Sequence, residues 1–339
     1  MGVRISDVAQ KAGVAIGTVS RAFNGYQDIR PETRERIFLA AQELGYTPNI
    51  SARNLSSKKP PNIGLIFSGL LESNTKDNLV YLQLQGMLRY ATAHNLEVAL
   101  YATDSAEQAE HSYAEFCAQH SISGTILSGI TTDDAYFSEL MNSGIPTVAL
   151  DIPLEGENVG WVSVDNRAGA AEAVRFFHDM NRLDLLLVCG KRNTTVNTFR
   201  LQGVDDALQA LGLAVSPADR LYCDFDEEVA YRKVLRRLNE RGKAPDGVFC
   251  FSDVMAFGAM RALREKGLRI PEEVSVIGFD GAPLCELTVP SLSTVSQDMR
   301  GMGYEAVALL HDIMERRSTG GHRVLPHSLE IRESVCPRV

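Results

Sequence analysis

A window near the N-terminus gathers side chains suited to a polyanion. Thr18, Ser20 and Arg21 take the exposed side of Ile16–Phe23, while Val19 and Ala22 face inward. Hydroxyls and a guanidinium seek phosphates, and an arginine can also grip guanine O6 and N7 in a bidentate manner, worth ~1–3 kcal/mol of discrimination. Other chemistries find no matching set. The cysteines (Cys117, Cys189, Cys223, Cys250, Cys285, Cys336) lie far apart, with no C-x-x-C pair and no histidine at metal-ligand spacing. They read as reduced thiols of a cytosolic protein. No G-x-G-x-x-G follows the first apolar run, and no G-x-S-x-G elbow occurs. Gly190-Lys191-Arg192 lacks both the upstream Gly and the downstream Ser or Thr of a phosphate loop, and the seven histidines do not cluster. No catalytic residue, metal or cofactor is therefore expected.

Three short helices must position the first set. Ser6 precedes a turn whose Val8, Ala9 and Ala12 share one face, and Gly13 ends it. After Val14-Ala15 a second helix runs from Ile16 to about Phe23, stopped by Asn24-Gly25. Pro31 suits the first position of a third helix that closes at Gly45. Two helices joined by a short Gly-containing turn make a helix-turn-helix, whose second helix enters the major groove. The same pattern also suits a generic three-helix bundle.

Charge favours the first reading. The net charge of -9 is unevenly spread. Through Pro60 nine basic residues face five acidic ones, a net of +4, and the remainder carries -13. A small cationic head on an anionic body directs a polyanion to the head alone. At ~150 residues per domain, 339 residues suggest two or three folding units. An apolar share of 45% excludes wholesale disorder, and no apolar run reaches the ~18 residues of a membrane span. The first ten residues have no apolar core of a secretory signal, so a cytoplasmic location is expected.

The register of these residues then becomes specific. Arg4-Ile5-Ser6-Asp7-Val8-Ala9, Gly13-Val14, Thr18-Val19-Ser20-Arg21, Asn24-Gly25, Pro31-Glu32-Thr33-Arg34-Glu35-Arg36-Ile37 and Leu44-Gly45-Tyr46-Thr47-Pro48-Asn49 resemble the DNA-binding head of the LacI/GalR family of bacterial repressors. The resemblance implies that Ala15, Ile16 and Gly17 face base edges and that Arg21 reaches a base further along. Thr18, Ser20 and Asn24 suit phosphates, which fix register without encoding sequence. Two positions depart from the pattern. Ala15 stands where many relatives have Ser and cannot cap the helix through its side chain, at ~1 kcal/mol. Arg30 replaces a small cap before Pro31, offering a charge-assisted phosphate contact instead. In the connector, residues 48–61, the window Asn49–Ser57 is too short to persist as a helix alone. By resemblance it is a hinge helix that orders on DNA, with Asn49, Ala52 and Arg53 at matching positions. Leu55 would be its minor-groove wedge.

From residue 62 onward, apolar runs alternate with amphipathic helices. Strands are predicted at Ile63–Phe67, Glu97–Tyr101, Gly124–Leu127, Thr147–Leu150, Trp161–Val164, Leu185–Cys189, Val248–Phe251 and Val274–Phe279. Such alternation makes an α/β protein with two parallel sheets covered on both faces. Val164-Asp165-Asn166-Arg167, Ser252-Asp253-Val254-Met255, Arg269-Ile270-Pro271-Glu272, Gly278-Phe279-Asp280 and Arg332-Glu333-Ser334 resemble the two-lobed, periplasmic-binding-protein-like body of the same family. The implied organisation is a head at 1–47 and a body at 62–339. Lobe one spans about 62–160 and 292–320, and lobe two about 161–291 and 321–339. Ligands in such bodies bind at the carboxyl ends of the strands. By position the candidates are Ser68, Ser128, Asp151, Arg200, Phe225, Asp253 and Gln297. Each has a plainer alternative: Arg200 as a surface cation, Asp253 as a helix cap. Leu70–Asn78 and Asn181-Arg182-Leu183 depart from the family pattern, where Gly-His-Arg is common at the latter.

The sequence is thus expected to encode a homodimeric transcription repressor. It would bind a pseudo-palindromic double-stranded operator and be switched by a small molecule, by resemblance a sugar or sugar phosphate. With no leucine-heptad tail after Ser334, a dimer is expected over a tetramer. The alternatives are a regulator controlled by a partner protein or a non-sugar metabolite, a solute-binding protein, and an enzyme built on the body.

Overall fold

The computed structural model describes residues 5–23, 29–44, 62–69, 79–110 and 112–338. Two compact units partition the chain, Met1–Pro60 and Pro61–Val339. In the first, α1 (Ile5–Ala12), α2 (Ile16–Phe23) and α3 (Pro31–Leu44) enclose a core of Val8, Ala9, Ala12, Val19, Ala22, Ile37, Ala40 and Ala41. Burying a valine such as Val19 stabilises by ~1.5–3 kcal/mol, so this small core depends on few contacts. Gly13 makes the turn between α1 and α2 at φ 65°, where the Val14 N–H donates to the Ala9 carbonyl at 3.0 Å. A side chain is disfavoured in that left-handed conformation.

The second unit holds two sheets. Lobe one starts with β1 (Asn62–Ser68), α4 (Leu79–Ala93), β2 (Glu97–Thr103), α5 (Ser105–Glu110), α6 (Tyr113–Gln119), β3 (Gly124–Ser128), α7 (Ala135–Leu140), β4 (Thr147–Leu150) and β5 (Val159–Val164). Lobe two follows with α8 (Asn166–Asp179), β6 (Leu185–Cys189), α9 (Thr195–Leu211), β7 (Arg220–Tyr222), α10 (Glu227–Arg241), β8 (Gly247–Cys250), α11 (Asp253–Glu265), β9 (Ser275–Asp280) and β10 (Ser293–Gln297). The chain ends with α12 (Met299–Met314), β11 (Gly320–Leu325) and β12 (His327–Glu330). The first sheet has the order β11-β5-β4-β3-β1-β2 and is parallel throughout. The second, β12-β10-β9-β8-β6-β7, is parallel except for β12, which runs against β10. Central strands such as β6 and β9 are buried along their whole length, as sheets covered on both faces require.

The crossings between lobes fall at different places from those expected. Residues 161–164 belong to β5 of lobe one, 293–297 to β10 of lobe two, and 321–325 to β11 of lobe one. The chain therefore changes lobe after Val164, after Gln297 and after Leu325. A short apolar run reads the same whichever sheet receives it, so its pairing partner is decided over long range. The second sheet is also mixed rather than parallel. Its edge strand β12 returns directly from β11, with no helix to reverse its direction.

Candidate functional site

The carboxyl ends of β1, β3 and β4 meet those of β6, β8, β9 and β10 around a cavity of about 400 Å³. Ser68, Ser128 and Asp151 line it from lobe one, and Arg200, Phe225 and Gln297 from lobe two. Strand ends supply polar groups there because the backbone leaves the sheet and frees its last side chains to turn inward. Asp151, Phe225 and Asp280 all sit at positive φ, at 63°, 61° and 118°. Such conformations cost ~1–3 kcal/mol each and cluster at ligand sites. Phe225 is fitted closely: a Cβ on Gly190 would lie 2.1 Å from its ring.

Arg200 organises the wall. Its side chain, projecting from α9, is only 3% exposed, far from the surface cation that the sequence alternative allowed. Nε donates to Asn166 Oδ1 at 2.8 Å, one Nη donates to the Phe251 carbonyl, and the other reaches Asp280 Oδ1 at 3.4 Å. The guanidinium also lies 3.6 Å from the centre of the Phe279 ring. Gln297 Nε2 donates to Asp280 Oδ1 at 2.7 Å, while Gln297 Oε1 is buried without a hydrogen-bond partner. On the facing lobe, Ser163 Oγ donates to Asp151 Oδ1 at 2.6 Å, and Asn166 Nδ2 donates to Ser163 Oγ at 3.2 Å. One chain of hydrogen bonds thus joins Asp151 to Asp280 across both lobes.

Burial disfavours charge at two members of this chain, Asp151 and Arg200. Loss of water pushes the Asp151 carboxyl up, against the Ser163 hydrogen bond and the Arg200 charge. The same loss lowers Arg200, opposed by Asp280 and Asp151. A ligand hydroxyl offers such groups a partner that bulk water no longer provides, and the unpaired Gln297 oxygen is an acceptor of the same kind.

Asp253 corrects the sequence reading. It is fully buried and is absent from the cavity wall. Its carboxylate accepts from Thr294 Oγ1 and from the Ala282 N–H, both at 2.7 Å, tying α11 to the segments that follow β9. Burial pushes its carboxyl up to about 6. Nor does it cap α11, since Ser252 does so by accepting from the Met255 N–H. The residue opening a helix can turn towards the cleft or back into the lobe, and the neighbouring Thr294 selects the second.

Several wall residues escaped the sequence reading. Asp280, Gln83 and Lys191 line the cavity, and Asn166 relays between the lobes. Asp280 alone carried a local signal, as a carboxylate closing an apolar strand and preceding Gly281. Gln83 faces the cavity only because α4 packs at the mouth, where its Oε1 accepts from Ser128 Oγ at 3.4 Å.

In the first unit, Ala15, Ile16, Gly17, Arg21 and Arg30 are exposed, and Thr18 and Ser20 half-buried. Ile16 leaves 52% of its surface to solvent. The Ala15 carbonyl accepts from the Thr18 and Val19 N–H groups, so this cap acts through backbone alone. The Arg30 carbonyl does the same for Thr33 and Arg34. Asn24, Asn49, Ala52, Arg53 and Leu55 lie outside the described residues, as do the connector and the departing segment Leu70–Asn78.

Residues 4–49 match the model of the bacterial regulatory proteins of the lacI family, and 174–335 that of the periplasmic binding protein-like domain. Catabolite control protein A of Priestia megaterium is 30% identical over 99% of this chain and 100% of its own length. The chain belongs to the lacI family of bacterial regulatory proteins. It is a DNA-binding transcription regulator with a ligand-binding body. Two solved structures are similar along the whole length. The CelR–cellobiose complex aligns at a TM-score of 0.76, with 28% identity over 98% of this chain and 99% of that one. The lac repressor dimer bound to operator and the anti-inducer ONPF aligns at 0.82, with 25% identity over 99% and 100%. Among the described residues, no helix is long and apolar enough to cross a membrane.

Proposed function

We propose that this lacI-family regulator is a homodimeric repressor whose cleft binds a hydroxylated small molecule, a sugar or sugar phosphate, that sets its operator affinity. The observation that carries this reading is the convergence of Asp151, Arg200, Asp280 and Gln297, from both lobes, on one cavity of about 400 Å³. Paired carboxylates and an amide oxygen accept from ligand hydroxyls, Arg200 donates, and Phe225 supplies an aromatic face for the C–H side of a ring. A ligand touching both lobes favours one lobe angle, and its binding energy is thereby coupled to DNA affinity. Cellobiose in the CelR complex supports a saccharide, and the lac repressor dimer on operator supports two heads on a pseudo-palindrome.

In this reading α2 enters the major groove, with Ile16 and Arg21 at base edges and Thr18 and Ser20 at phosphates. The segment with Asn49, Ala52, Arg53 and Leu55 serves as the hinge. The protein works in the cytoplasm, where its operator lies, and performs no catalysis. A thermal-shift screen over sugars and sugar phosphates, followed by gel-shift titration on genomic fragments with each hit, tests it. At ~100 times its Kd a true effector adds ~2.7 kcal/mol of stability and alters fragment affinity. If no compound shifts both readouts, the reading fails.

A further inference from the structure

Behind the cleft lies a second cavity of about 270 Å³, and Asp151 is the one residue lining both. This rear pocket sits where the chain first crosses between lobes. Its walls are Trp161 from β5, Val324 from β11, and Phe199 with Gln202 from α9, whose Arg200 serves the front. Trp161, Phe199 and Val324 give it an apolar side that is partly open, with Val324 50% exposed. His322 stacks on the Trp161 indole with ring centres 4.7 Å apart and planes 9° from parallel, which holds the indole in place. The partition between the cavities is the chain already described, in which Ser163 holds Asp151 and Asn166 links Ser163 to Arg200.

The charges at this pocket select its occupant. Asp151 and Asp165 line it, whereas its one cation, Arg167, is tied to Asp206 at 2.5 Å. Carboxylates beside aromatic and aliphatic walls reject anions and favour a flat ring that donates N–H groups. The volume falls just below the ~300–1,000 Å³ of drug-sized sites, which limits the occupant to one or two rings. We propose that the rear pocket is a second small-molecule site, for a flat uncharged or cationic heterocycle bearing N–H donors. Occupancy is coupled to the front cleft through Asp151, Ser163, Asn166 and Arg200. The coupling, unlike the site itself, rests on the effector reading above.

Trp161 is the only tryptophan in the chain, so its emission reports on this pocket directly. The probe is adenine, with 6-(dimethylamino)purine as the analogue that lacks the amino donors. Adenine is expected to change Trp161 emission saturably at up to millimolar concentration, and the dimethyl analogue to bind more weakly. The response should survive Arg200→Ala, which disables the front cleft, and weaken about tenfold in Phe199→Ala. Val324→Lys, which sets a cation against the ring's donors at a half-exposed position, should weaken it as well. No saturable change in the folded wild-type protein overturns the site. So does a response that Arg200→Ala abolishes while Phe199→Ala and Val324→Lys leave it intact, since adenine then occupies the front cleft. For the coupling, the Kd of a saccharide found by the screen should differ several-fold with and without adenine, and reciprocally. Equal values overturn the coupling and leave the effector reading standing; a screen without hits overturns that reading and the coupling together.

Discussion

Lobe two buries two arginines in opposite ways. Arg182, 1% exposed, spends its guanidinium on backbone: it donates to the carbonyls of Pro271, Glu272, Glu273, Asp246 and Cys336. Its remaining partner is the Cys336 sulfur at 3.3 Å, and what it ties together is the C-terminal segment and the base of the lobe. Arg200 is buried almost as deeply, but its partners include a carboxylate, a side-chain amide and an aromatic face, and it opens on a cavity. Burial and charge alone therefore do not tell a structural peg from a binding group. The kind of acceptor does: fixed carbonyls hold a cation permanently, whereas side chains at a cavity wall can exchange one partner for a ligand.

The largest test of this contrast is Arg182→Ala. It leaves several buried carbonyls without a donor and should cost about 4 kcal/mol in urea unfolding, while the folded fraction still responds to effector. A variant as stable as wild type would dissolve the distinction. Asp253 belongs with Arg182 on the structural side, and its titration gives a second check. With a folded pKa near 6 against an ordinary value of 3.8, the folded state holds its proton longer than the unfolded chain. Its contribution therefore declines as pH rises from about 4 to 6, by on the order of 3 kcal/mol. Asp253→Asn should remove that slope when wild-type and variant urea midpoints are compared across the window, and parallel curves would count against it.

On the binding side, Arg200→Ala should abolish the ~2.7 kcal/mol that saturating effector adds in a thermal-shift measurement, while gel shifts show DNA affinity retained. A normal ligand response would remove Arg200 from the cleft assignment. The smallest effect is expected in the head, where an absent side chain replaces a buried one. A Cβ on Gly17 meets nothing within 4 Å, so Gly17→Ala should stabilise α2 by at most ~1 kcal/mol. Its operator preference, read by selection from random DNA, should shift at the step Gly17 faces. An unchanged preference would place Gly17 away from the bases.

The departure at Asn181-Arg182-Leu183 was visible as a break in the family pattern, but its purpose was not. An arginine whose partners are carbonyls 64 to 154 positions away leaves no trace in local sequence. The two short helices after β2 and the three-residue β7 also escaped, being too brief or too polar for a periodic signal.

Local physics was enough for the inward face of α2, because Val19 and Ala22 lie on one side of a 3.6-residue period. It was enough as well for eight strands, β1 to β6, β8 and β9, and the family resemblance added the wall positions Ser68, Ser128, Asp151 and Gln297, because parallel strands end together at one edge. Tertiary structure alone decided which sheet received β5, β10 and β11, that Asp253 turned into the lobe while Asp280 faced the cleft, and that Asp151 became a wall between two cavities. Those outcomes depend on partners far away along the chain, whose meeting is set by packing and charge in three dimensions.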